Sequence, residues 1–152
     1  MIEKASSKIH MVDIANKPSI SREAEAVGEI YLQPATIDAI IHNQIEKGNV
    51  LATAQIAGIL AAKKTSDIIP LCHPLPIVQA NLQFEFQKEV ITVHCCVSAR
   101  YKTGVEMEAL VGVTIALLTI WDMVKYLEKD AKGQYPTTHI HNVKVIKKWK
   151  KA

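Results

Sequence analysis

Arginine is nearly absent from this chain: Arg22 and Arg100 are the only two, so the formal net charge of +3 rests on lysine. Aromatic residues make up 5% of the chain and form no run on which bases could stack; zinc-finger spacing and a helix-turn-helix signature are also missing. Five lysines crowd the last nine residues, but a basic end is more often solvated than bound to a nucleic acid. Cysteine is scarce and odd in number, and Cys95 and Cys96 are adjacent, so on a strand they would point to opposite faces. A disulfide framework is not expected, and a reducing, cytoplasmic setting is. No uninterrupted apolar run reaches the roughly 18 residues of a membrane span, and Met1-Ile2-Glu3-Lys4 does not lead into a signal-type apolar region. Walker-type phosphate loops and the dinucleotide fingerprint are missing too, which argues against ordinary nucleoside triphosphatases and dehydrogenases.

The 152 residues suit one domain, 1–152, with residues 1–10 expected to lack fixed structure. Period-two charge around Glu23, Glu25 and Glu29 predicts a strand over Ser21–Gln33. Pro34 opens a helix whose apolar face (Ile37, Ile40, Ile41, Ile45) predicts an end at Glu46-Lys47-Gly48. Val50–Lys64, rich in alanine and glycine, predicts a closely packed helix. Alternation over Ile77–Gln87 and Val90–Arg100 predicts a hairpin about Lys88-Glu89. Val105–Lys129 is the longest predicted helix, apolar enough at its centre to be hidden on more than one face, and 138–146 closes the chain as a strand. The order of elements points to an α+β fold: a ferredoxin-like antiparallel sheet with helices packed on one face.

Three groups of residues are candidates for chemistry. Three prolines between Pro70 and Pro76 stiffen the segment from Lys63 to Pro76, which is expected to be neither helix nor mid-sheet strand and presents Cys72 and His73. A nucleophilic thiol is one reading, a hydrogen-bonding His73 another, and a plain crossover with a core cysteine the third. Without Cys-x-x-Cys or His-x-x-x-His, no metal site is expected. On the long helix, Glu106 and Glu108 open the first turn, while Asp122 and Lys125 neighbour each other three residues apart near its end. In a dry setting the latter pair suits proton transfer; the plain alternative is an ordinary ion pair. Glu108 and Asp122 are 14 positions apart, on the order of 20 Å along the axis, too far to embrace one small reacting centre. If both matter, they grip distant parts of a long ligand or belong to sites shared between subunits. Lys47, Lys63 and Lys64 form the third group, either phosphate contacts or solvated helix ends.

Met11-Val12-Asp13-Ile14, Lys47-Gly48, Ala57 to Ser66, Ile69 to Leu75, Thr103 to Leu110 and Leu118 to Lys125, in that order, closely resemble the MoaC family. These are the cyclic pyranopterin monophosphate synthases of molybdenum cofactor biosynthesis, and the resemblance runs from about residue 11 to 148. It implies a phosphorus–oxygen lyase that converts cyclic 3′,8-linked dihydroguanosine triphosphate into cyclic pyranopterin monophosphate and pyrophosphate. It further implies catalytic roles for Asp122, Lys125 and Lys47, and substrate contacts from Lys63, Leu71, Cys72, His73, Glu106, Met107 and Glu108. A homohexamer of three dimers with sites at subunit interfaces is implied as well. No cofactor is required, though Mg²⁺ can accompany the triphosphate, and neither nucleic acid nor membrane is an expected partner. The chain departs from the family in lacking the Ser-Gly-Gly-Lys-Ser-Gly tail, ending instead at Lys147-Lys148-Trp149-Lys150-Lys151-Ala152, and 130–138 reads as an insertion. The different-class alternatives are a non-catalytic nucleotide- or pterin-binding module of the same fold and, on the lysine excess alone, a nucleic-acid-binding domain.

Overall fold

The sheet is built around β1 (Ile20–Tyr31), where Ala24, Ala26 and Ile30 are fully buried while Glu23, Glu25 and Glu29 turn to the other face. A computed structural model describes residues 9–152; residues 1–8, most of the stretch expected to lack fixed structure, lie outside the described residues. β1 lies between β3 (Val90–Tyr101) and β4 (His139–Lys151), and β2 (Ile77–Phe86) pairs with the far side of β3, giving the order β2-β3-β1-β4. Every pairing is antiparallel. With the helices inserted after β1 and β3, this is the ferredoxin-like α+β arrangement expected from the element order.

The core lies between one sheet face and two long helices, α2 (Val50–Lys63) and α4 (Glu106–Glu128). Val93, Cys95 and Val97 of β3 are fully buried against them, whereas Thr92, His94, Cys96 and Ser98 occupy the opposite face. Cys95 and Cys96 thus face apart, as adjacent strand residues must, and burial pushes the Cys95 thiol up to about 12. The small residues of α2 serve the expected close approach: a Cβ at Gly58 would come within 2.9 Å of the Gly112 carbonyl oxygen on α4.

Three boundaries differ from expectation, and one helix composition is notable. α1 (Pro34–Ile41) stops well before Lys47, because His42 caps it and Asn43 turns into the left-handed region at φ 56°. Ile45 is still buried, so an apolar residue of the following loop mimicked a fourth helical position. The opening of the proline-rich segment holds one helical turn, α3 (Thr65–Ile68), which fits because the prolines begin only at Pro70. β4 runs to Lys151, so Lys147–Lys151 is not a tail but a strand laid along Ser21–Glu25. Finally, α4 is by length and composition apolar enough to cross a membrane, despite the polar residues that interrupt it. Its Thr114 and Thr119 hydroxyls donate to the Leu110 and Ile115 carbonyls at 2.7 Å, and Leu117 and Ile120 are fully buried in the fold.

Candidate functional site

Near its C-terminal end α4 turns an exposed stripe outward, Leu118, Asp122 and Tyr126 at helical spacing. Asp122 lies on a helix expected to be hidden on more than one face; its side chain is instead 59% exposed, because the helix buries one face here rather than several. The Lys125 ammonium donates to Asp122 Oδ1 at 2.9 Å. Lys47, carried by the loop between α1 and α2, reaches the same residue and donates to Oδ2 at 3.2 Å and to the backbone oxygen at 3.1 Å. The hydrogen bonds from Lys125 and then Lys47 hold the Asp122 carboxyl below the usual range, and Asp122 in turn raises Lys125 above its ordinary value. The shift runs away from neutrality: the pair is an ionised carboxylate clamped between two ammonium groups.

The other end of α4 has the opposite character. Glu108 is 2% exposed, and neither carboxyl oxygen has a hydrogen-bond partner in any other described residue. Burial pushes its pKa up to about 7; its own backbone N–H opposes the rise and the Glu106 charge adds to it. Glu108 borders a narrow hollow shared with Lys63, Ser66, His73 and Leu75. Beside it, a cavity of about 400 Å³ is lined by Val12, Leu71, Cys72, His73, Glu106 and Met107. The proline-stiffened segment therefore forms a wall of this cavity. Burial, with the nearby Glu108 charge, raises the Cys72 thiol, so Cys72 is a poor nucleophile.

The ten candidate residues thus fall into two groups: Lys47, Asp122 and Lys125 at one end of α4, and Lys63, Leu71, Cys72, His73, Glu106, Met107 and Glu108 at the other. Adjoining the second group is a set of cations that the sequence reading largely passed over. A cavity of about 460 Å³ is lined by Lys17, Arg22, Lys102, Lys148 and Lys150, and shares Thr103, Gly104 and Glu106 with the neighbouring one. Lys148 Nζ lies 2.7 Å from Glu106 Oε1. Burial pushes the Glu106 carboxyl up, but the Lys148 hydrogen bond, its own backbone N–H and the Lys148 and Arg22 charges outweigh this and leave it below its ordinary value. Alternation on β4 was the available signal, since Lys148 and Lys150 pair with Ala24 and Arg22 on the same strand face. Among the described residues no cluster of three His, Cys, Asp or Glu side chains suited to a metal ion occurs.

An antiparallel plait thus carries a lysine-clamped aspartate at one end of its central helix and an orphaned acid beside a basic cavity at the other. The chain belongs to the MoaC family, whose model matches residues 11–150. It is 59% identical over 142 residues to a protein of Pyrococcus horikoshii named "probable cyclic pyranopterin monophosphate synthase", covering 93% of this chain and 89% of that one. A Pyrococcus furiosus protein of the same name is 58% identical, with 93% and 91% covered. A Methanothermobacter thermautotrophicus protein, 56% identical with 93% and 89% covered, is named "probable cyclic pyranopterin monophosphate synthase accessory protein".

Proposed function

We propose that this protein is a cyclic pyranopterin monophosphate synthase of molybdenum cofactor biosynthesis. It would convert cyclic 3′,8-linked dihydroguanosine triphosphate into cyclic pyranopterin monophosphate and pyrophosphate, as a phosphorus–oxygen lyase acting in the cytoplasm. The observation that carries the reading is the convergence of Lys47 and Lys125 on Asp122, residues from two separate elements meeting on one carboxylate. Rearranging a purine-derived ring needs several proton transfers, and an ionised Asp122 beside a charged Lys125 offers an acceptor and a donor side by side. Expelling pyrophosphate needs charge neutralisation, which Lys47 and Lys63 supply, with the cations at Arg22, Lys102 and Lys148 suited to the triphosphate. Leu71, Cys72, His73, Glu106, Met107 and Glu108 line the ring system, with His73 and Glu108 as its polar contacts.

The two groups of residues lie on the order of 20 Å apart along α4, so a complete site needs the aspartate end of one chain and the glutamate end of another. A homohexamer of three dimers, with sites between subunits, meets that need. The reaction is redox-neutral, so no electron carrier is required, and Mg²⁺ can travel with the triphosphate.

The second reading, a binding module without turnover, is favoured by the name of the Methanothermobacter thermautotrophicus relative, an accessory protein. One assay separates the two: purified protein at saturating substrate should release pyrophosphate and form cyclic pyranopterin monophosphate in equal amounts. Well-folded protein that binds the substrate and releases no pyrophosphate would establish the module instead.

A further inference from the structure

Lys47 sits at the tip of an irregular connection, next to Gly48, whose φ is +111° and whose surroundings are open. A turn closed by the Gly48 N–H on the carbonyl oxygen of buried Ile45 at 3.0 Å shapes the backbone there, but it does not set where the long lysine side chain reaches. Its ammonium meets both the backbone oxygen and the carboxylate of Asp122. A second restraint comes from α4. One turn beyond Asp122, on the same helix face, the Tyr126 hydroxyl oxygen accepts the backbone N–H of Glu46 at 3.0 Å, one residue before Lys47. At the end of α4, the fully buried Glu128 holds the start of α1: it accepts from the Gln33 N–H at 3.2 Å and from the hydroxyls of Thr36 and Thr138. The segment from Gln33 to Lys47 is therefore fastened to α4 at its beginning by Glu128 and just before its functional end by Tyr126.

We infer that Tyr126 is a positioning residue: its hydroxyl fixes the backbone at Glu46 so that Lys47 is delivered to Asp122. Tyr126 makes no contact with Lys47 or Asp122 through this bond; it acts through the loop. Its effect on rate rests on the synthase reading above, whereas its effect on the Asp122 carboxyl does not.

The test follows the Asp122 side-chain carboxyl by carbon NMR titration in the full chain, alongside steady-state turnover. In the wild type this carboxyl titrates below the usual range, held there by Lys125 and Lys47. Tyr126→Phe keeps the ring and removes the acceptor, so the midpoint should rise part of the way toward that of Lys47→Ala. In the Lys47→Ala background the same change should move it no further, which distinguishes positioning of Lys47 from general loosening. Turnover should fall about fivefold in kcat with KM little changed, the change that corresponds to one neutral hydrogen bond. An Asp122 midpoint unmoved by Tyr126→Phe, or moved equally with and without Lys47, would overturn the inference. A wild type that shows the expected titrations without turnover would overturn the synthase reading and leave this one standing.

Discussion

The two ends of α4 carry acids in opposite states. Asp122 is exposed and satisfied, with an ammonium on each carboxyl oxygen. Glu108 is buried, with no donor on either oxygen from any other described residue. A buried carboxyl without partners costs folding free energy unless it takes up a proton or meets a ligand. An exposed carboxylate between two lysines costs little and is fixed in the charged form. The aspartate end is thus a finished charge cluster, whose groups exchange protons only once an incoming ligand weakens the pairing that holds them ionised. The glutamate end is an unfinished pocket, which a proton or a hydrogen-bonding ligand would complete. Under the synthase reading proposed above, the aspartate end would work on the substrate and the glutamate end would recognise it.

The largest effect is expected from removing the charge at the finished end. Asp122→Asn keeps the side chain's shape and deprives both lysines of their counter-charge. Turnover of the cyclic dihydroguanosine triphosphate should fall by about 10²- to 10⁴-fold, the range for losing a positioned proton-transfer group. Because the side chain is exposed, thermal unfolding at neutral pH should hardly move. A rate near the wild type would return the cluster to the status of a surface ion pair.

Glu108 should show itself in stability rather than in charge. Its folded-state pKa is raised from an ordinary 4.5 to about 7, so folding is favoured by the protonated form. The stabilisation is complete below about pH 4.5, is lost as pH rises through 7, and changes no further above that. Within this window the slope is at most about 1.4 kcal/mol per pH unit. Glu108→Gln removes the titration, so its melting temperature should be flatter than the wild type's between pH 5 and 8. Parallel curves for the two proteins would mean that Glu108 has found a donor and that the pocket is not open.

The fold was legible because its signals are periodic. Alternating alanine and glutamate on β1, valine and polar residues on β3, and the glycine-bearing faces of α2 and α4 each state which side is inward. Lys125 beside Asp122 follows from helix spacing alone, but Lys47 does not, since no spacing rule links a loop residue to one 75 positions away. Its place in the cluster came from the family resemblance, and the loop that delivers it begins where Asn43 broke a helix that the apolar pattern prolonged. The cations at Lys17, Arg22 and Lys102 were missed for a similar reason. They converge with Lys148 and Lys150 only because β4 continues along the start of β1, and a lysine-rich terminus reads as solvated until its strand pairing is known. Asp122 was misjudged in the opposite sense: the stripe Leu118, Asp122, Tyr126 is exposed within a helix whose overall composition suggests burial.

The smallest effect belongs to Lys148, whose role is to moderate the contrast rather than to create it. The Glu106 carboxyl is part-buried, and burial by itself would raise its pKa; Lys148 is the leading reason that it lies below 4.5 instead. Lys148→Ala should therefore let Glu106 rise, and the sign of its contribution follows. A depressed carboxyl stabilises the fold above its unfolded value and loses that stabilisation as pH falls through the folded one, so the variant should lose stability at neutral pH and little in acid. With an exposed lysine, the loss at pH 7 in urea unfolding should be less than about 1 kcal/mol. The more telling readout is Glu108. The Glu106 charge already pushes it upward, and without Lys148 that charge is less well countered, so the Glu108 midpoint should climb slightly above its wild-type position. A Glu108 midpoint that stays put while Glu106 moves would mean that the two acids do not sense each other, and that the basic cavity and the orphaned glutamate are separate features sharing one helix end.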